Sequence, residues 1–113
     1  MITLADIRGY AMALPDVEEK THFQLPGFRV ADKLLVHLER GDRHAVVCVG
    51  RAEAESVVAE SPGTYEAVWR NGRVFVGLRV DLDEISGPRM RELIEHGWRH
   101  RAPKRLIAEY DGR

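Results

Sequence analysis

Leu34-Leu35-Val36-His37-Leu38-Glu39-Arg40-Gly41-Asp42-Arg43-His44-Ala45-Val46-Val47-Cys48-Val49 is the stretch that decides the fold class. Two aliphatic-rich runs, Leu34–Glu39 and His44–Val49, flank Arg40-Gly41-Asp42-Arg43. A glycine-first turn at Gly41-Asp42 pairs Leu38 with Ala45, Val36 with Val47 and Leu34 with Val49. Because side chains alternate along a strand, that register gathers aliphatic groups on one face and leaves His37 and Glu39 on the other. Asn71-Gly72 signals a second hairpin, pairing Trp69 with Val74, Ala67 with Val76 and Tyr65 with Leu78. In that register Val68 and Phe75 meet on the reverse face beside Glu66 and Arg79. Upstream, Glu18–Phe23 and Phe28–Val30 read as shorter strands around a Pro26-Gly27 turn.

Helices bracket these strands. Thr3 is a good N-cap, Asp6 is placed where an acid favours a helix N-terminus, and Ile2 and Ile7 have hydrophobic-staple spacing. Leu4, Ile7, Ala11 and Leu14 form one stripe, and Pro15 ends the helix at Leu14. Ala52–Glu60 reads as a short helix closed by Ser61-Pro62-Gly63. The last quarter holds a helix with a stripe at Met90, Leu93, Ile94, Gly97 and Trp98, then a proline-started helix after Pro103. The order predicts an α+β fold: a mostly antiparallel, twisted sheet built from hairpins, covered by N-terminal and C-terminal helices. Its core is expected to take Leu34, Val36, Leu38, Val47, Val49, Ala67, Trp69, Val74, Val76 and Leu78 from the sheet. Leu4, Ile7, Leu14, Leu93, Ile94 and Trp98 join them from the helices.

The 113 residues suit a single domain, 1–113, that hides about two-thirds of its unfolded surface. A chain 44% hydrophobic and 31% charged is not wholesale disordered. Net charge −1 and a pI near 6.5 remove any global electrostatic case for nucleic acid or membranes, so such a case rests on local charge. Lone Cys48 cannot form an internal disulfide, which suits a reducing cytoplasm. Asp6, Arg8 and Asp16 interrupt the apolar core a signal peptide needs, and no run reaches membrane-spanning length. A cytoplasmic protein with no membrane partner is expected.

Several segments resemble the MmcQ/YjbR family in the right order over nearly the whole chain. These are Ala13-Leu14-Pro15-Asp16-Val17-Glu18-Glu19, Phe28-Arg29-Val30 with Lys33, Gly97-Trp98-Arg99, and Ala102-Pro103-Lys104-Arg105-Leu106. The resemblance implies a compact α+β fold similar to the bacterial frataxin homologue CyaY, described as a double-wing arrangement. The family name carries a DNA-binding label. The chain departs from the family by having Asp32-Lys33 in place of Gly-Lys, and Leu34-Leu35 where an aromatic is common.

Chemical motifs are sparse. His96 and His100 stand i, i+4 on one helix face, as a zinc pair would, yet a third ligand and an H-E-x-x-H glutamate are missing. His22, His37 and His44 fall on neighbouring strands without carboxylate orienters. Asp16, Glu18 and Glu19 form one acidic cluster, and Asp81, Asp83 and Glu84 another. Hard cations such as iron prefer carboxylates, but the first helix lacks the acidic ridge of frataxins. No nucleophile elbow, phosphate loop or dinucleotide fingerprint occurs, so neither a catalytic residue, a metal site nor a cofactor is assigned and a non-enzymatic role is expected.

Positive charge collects late in the chain. Arg89, Arg91, Arg99, Arg101, Lys104 and Arg105 face only Glu92 and Glu95 in the same stretch. With Arg40, Arg43, Arg70 and Arg73 at the hairpin tips acting as wings across a duplex, they are expected to contact DNA phosphates without sequence preference. Arg99 and Arg101 are expected to lie off the apolar stripe. The alternative is a protein-interaction, small-ligand or metal-binding module. Val68 and Phe75 would then mark the contact with a protein partner or with a second copy in a homo-oligomer.

Overall fold

The computed structural model describes residues 1–112. In chain order it runs α1 (Leu4–Met12), β1 (Val17–His22), β2 (Leu25–Val30), β3 (Lys33–Leu38), β4 (His44–Val47), α2 (Arg51–Glu60), β5 (Tyr65–Arg70), β6 (Val74–Asp81), α3 (Gly87–Arg101) and α4 (Lys104–Asp111). The strands form one six-stranded antiparallel sheet in the order β1-β2-β3-β4-β6-β5. The α+β class expected from the hairpins is what the chain adopts.

Thr3 caps α1 as its sequence position implies. Its hydroxyl accepts from the Asp6 amide, and the Asp6 carboxylate accepts from the Thr3 amide at 2.9 Å. On α3, Met90, Leu93, Ile94, Gly97 and Trp98 are all buried, so the helix lies over β3 and β4. The missing side chain of Gly97 permits the approach: a Cβ there would stand 3.2 Å from Leu35 Cδ1 and 3.3 Å from Val47 Cγ1. α1 covers β1 and β2, α2 covers β5 and β6, and every helix and strand contributes to one buried cluster.

The registers confirm some expectations and correct others. Val36 pairs with Val47 and Leu38 with Ala45 as read. Both Gly41 and Asp42 have positive φ, so the turn is not of the type that needs only a leading glycine. The first hairpin turns at Phe23-Gln24, both at positive φ, rather than at Pro26-Gly27. Pro26 lies within β2 opposite Thr21, and β3 pairs with β2 only from Gly27 onward, so the missing N–H breaks no rung toward β3.

Two bulges account for the misplaced core residues. One register shift makes both Leu35 and Val36 face the helices, fully buried, while Leu34 is left half-buried. At the second hairpin the loop spans Asn71–Arg73, with Arg73 N–H donating to Arg70 O, and a further bulge follows at Val68/Trp69. Ala67 therefore pairs with Leu78, Trp69 with Phe75 and Arg70 with Val74. Val74 and Val76, expected in the core, are turned outward, Val74 48% exposed and Val76 half-buried. Trp69 keeps its face beside Phe75 and is 38% exposed near the end of this edge strand.

Candidate nucleic-acid interface

The sheet has two distinct ends. At one lie the start of β3 (Lys33), the end of β4, the β5–β6 turn and the entry to β1; at the other lie the β1–β2 and β3–β4 turns and the end of β6 (Asp81). Because β4 and β6 are antiparallel, the β3–β4 and β5–β6 tips emerge at opposite ends. The two arginine pairs, Arg40 with Arg43 and Arg70 with Arg73, therefore do not form adjacent wings.

The sequence-expected cations divide along this axis. Arg43 is engaged by Asp81 at 3.1 Å and by Asp83 at 3.7 Å. These acids hold its proton more firmly, and Arg43 in turn lowers the Asp81 pKa. Arg89 reaches Glu60 at 3.0 Å and also pairs with Glu92. Both lie at the Asp81 end, among carboxylates that already neutralise them. Arg99 grips Asp111 through two hydrogen bonds of 3.0 and 2.7 Å and stacks over Tyr110, so it ties α3 to α4. Arg91 is exposed on the outer side of α3, near Glu95 and Tyr10.

Arg101 corrects the expectation that it stands off the stripe. Its Nε is buried and finds no hydrogen-bond partner, and its guanidinium lies against the Cys48 thiol. Burial pushes that thiol up in pKa, and Arg101 opposes the shift only in part. The geometry is simple: Arg101 follows Gly97 by four residues and Ile94 by seven, so the helix turns it toward the sheet.

At the Lys33 end the picture differs. Lys33, Arg70, Arg73, Lys104 and Arg105 are exposed there and form no ion pair among the described residues. Arg105 lines a shallow cavity of about 320 Å³ together with Arg29, Asp16, Glu18 and Asp32, so its field is partly countered. Arg51 opens α2 at this end, pairs with Glu55 at 2.9 Å and stacks over Trp69. Sequence reading missed Lys33 and Arg51, because only tertiary structure brings the start of β3 and the start of α2 to the same rim.

Other candidate chemistry is dispersed. His96 is taken by Glu53 on α2, pinning two helices, while the His100 ring packs beside Gly50. His22 and His37 do approach, with ring centroids 4.7 Å apart, but His44 stands with neither. Desolvation first, then His37 and Arg29, lowers the pKa of His22. Glu19 is paired with Arg8 and Glu18 with Lys20, which disperses the first acidic cluster. Among the described residues no three His, Cys, Asp or Glu side chains group as metal ligands. No helix is long and apolar enough to cross a membrane. Val68 and Phe75 lie on opposite faces: the bulge turns Phe75 toward the core, whereas Val68 lines a depression of about 300 Å³ on the open face with Val46 and Val76.

Comparison with known proteins agrees with this architecture. The YjbR family model matches residues 12–100. The fold is also that of protein DR2400 from Deinococcus radiodurans, a crystal structure bearing the domain label DUF419. The TM-score is 0.73 at 17% identity, over 87% of this chain and 77% of that one. No curated protein matches the chain.

Proposed function

This chain belongs to the YjbR family, and we propose that it is a non-enzymatic DNA-binding protein making weak, sequence-independent contacts with phosphates at the Lys33 end of its sheet. One observation supports the reading above others: Lys33, Arg70, Arg73 and Lys104 are exposed at one end and form no ion pair among the described residues, whereas Arg43 and Arg89 at the other end are held by carboxylates. Unpaired cations can release counterions from a phosphate backbone, whereas paired ones must first surrender a carboxylate. Arg105 and the β5–β6 loop extend the rim. Arg40, exposed and without an ion pair among the described residues, is at the other end with Arg43 and Arg89, while Arg99 is tied to Asp111 at the surface and Arg101 turns inward. A reducing cytoplasm, compatible with Cys48 as a lone thiol, is the compartment this role requires.

The test is fluorescence anisotropy with random-sequence duplex DNA at salt concentrations from about 50 to 200 mM. Four neutralised phosphates give a log–log slope of about −3.6, at about −0.9 each. Affinity independent of salt, or no binding at the lowest salt, refutes the proposal.

A further inference from the structure

We infer that Trp69 is a stacking platform for unpaired bases, so that this rim holds single strands more tightly than duplex; this rests on the phosphate-binding reading above. Trp69 lies on β5, an edge strand, and 38% of it is exposed. Its cross-strand partner Phe75 packs against the buried cluster, and Trp69 lies outside Phe75, at the margin of the core. An indole is a large apolar group to leave in water, and elsewhere in this chain the same side chain is fully buried, as Trp98.

Its surroundings restrict its use. Phe75 packs against it in a T-shaped arrangement, with ring centroids 5.4 Å apart and planes at 74°. Arg51, paired with Glu55 at 2.9 Å, covers one π-face with its guanidinium 4.9 Å from the ring centroid, so a base would stack on the opposite face. Arg70 and Arg73, exposed and without carboxylate partners among the described residues, follow in the next turn of chain. An aromatic face flanked by guanidinium groups matches what an unpaired nucleotide presents, a flat base joined to a phosphate. Stacking is indifferent to base identity, since every base has a π-face. In a duplex those faces are hidden in the stack, leaving the indole nothing to contact. The shared chemistry is that of single-stranded DNA or RNA.

Fluorescence can read this directly, because Trp98 is buried with its Nε1 donating to Pro15 O, leaving Trp69 as the solvent-accessible fluorophore. Titration of the intact protein at low salt with oligo-dT, oligo-rU and a duplex of equal length is the experiment. Quenching by either single strand and none by the duplex is expected. Trp69→Ala should weaken single-strand affinity about five- to a hundredfold, the range expected for one stacked base, with partial recovery in Trp69→Phe. Unchanged Trp98 emission in Trp69→Ala confirms an intact core. Salt-dependent binding without quenching, or with Trp69→Ala neutral, overturns the platform while leaving phosphate binding standing. Failure of every oligonucleotide to bind at low salt overturns both.

Discussion

Arg101 and Arg99 are two residues apart on one helix, yet they do different work. Arg99 is held at the surface by Asp111, while Arg101 turns inward beside Cys48. Arg101→Glu should destabilise the fold by about 1–3 kcal/mol, because it places an unpaired carboxylate where a buried guanidinium nitrogen already lacks a partner. Lys104→Glu, on an exposed side chain, should stay within about 0.5 kcal/mol. Urea midpoints distinguish them, and equal effects would contradict the placement of Arg101. The seven-residue spacing from Ile94 to Arg101 was visible in the sequence; that the stripe extends that far was not, since a charged residue masks an apolar period.

Titration at the residue scale has a determinate sign. Arg79, with two hydrogen bonds of 2.6 and 2.8 Å, holds the Glu39 carboxyl below the ordinary carboxylate range. The folded state thus binds that proton less readily than the unfolded chain. The contribution is complete above the ordinary value and disappears as pH falls through the folded one. Glu39→Gln should therefore lower the melting temperature at pH 7, with the gap closing as pH falls below the ordinary carboxylate range. His22 resists protonation through desolvation, so stability should also decline as pH falls through the ordinary histidine value of about 6.5. His22→Gln should flatten that part of the melting profile; a steeper profile would contradict it.

Elements were legible where pattern and turn chemistry agreed. The Thr3 cap and the α3 stripe were written in the sequence, and the β3–β4 register followed from the aliphatic alternation on either side of Gly41, although the turn itself differs in type. The β5–β6 register did not, because Asn71-Gly72 fits a two-residue loop but sits in a three-residue one, and a bulge then adds another shift. The inserted residue exchanges faces on β6, turning Phe75 inward and Val74 and Val76 outward. Trp69 keeps the face read for it, beside Phe75, and is exposed because it lies near the end of an edge strand. Near that bulge Gly77 is tightly enclosed: a Cβ would stand 2.8 Å from Val47 O and 3.0 Å from Val46 Cγ1. The backbone oxygen cannot swing aside as a side chain can. Gly77→Ala should cost about 1–3 kcal/mol by crowding. Thr3→Ala should cost about 1 kcal/mol through loss of the cap. Thermal denaturation checks both, and a neutral Gly77→Ala would show that β4 and β6 are not so closely apposed.

For the whole molecule, local charge density in the sequence was a poor guide to the interface. Six cations between Arg89 and Arg105 looked like one patch, but α3 spreads Arg89, Arg91, Arg99 and Arg101 around its circumference and along its length, and Lys104 and Arg105 open α4. Folding assigns Arg89 and Arg99 to carboxylates, and brings Lys33, Arg70 and Arg73 to the end where Lys104 and Arg105 emerge. Tertiary contacts selected the unpaired cations, and no spacing rule anticipates them. The family, by contrast, was legible from packing and turn residues spread along the chain.

The most direct measurement compares charge reversal at the two ends of the sheet. Arg70→Glu with Arg73→Glu forms one variant and Arg40→Glu with Arg43→Glu the other, both titrated against the same random-sequence DNA across the same salt series. The account predicts that the first variant weakens binding and makes the salt slope shallower by about 0.9 per lost phosphate contact, while the second leaves the slope unchanged. Equal losses in both, or a loss confined to the Arg40 and Arg43 pair, would contradict a phosphate-binding rim at the Lys33 end.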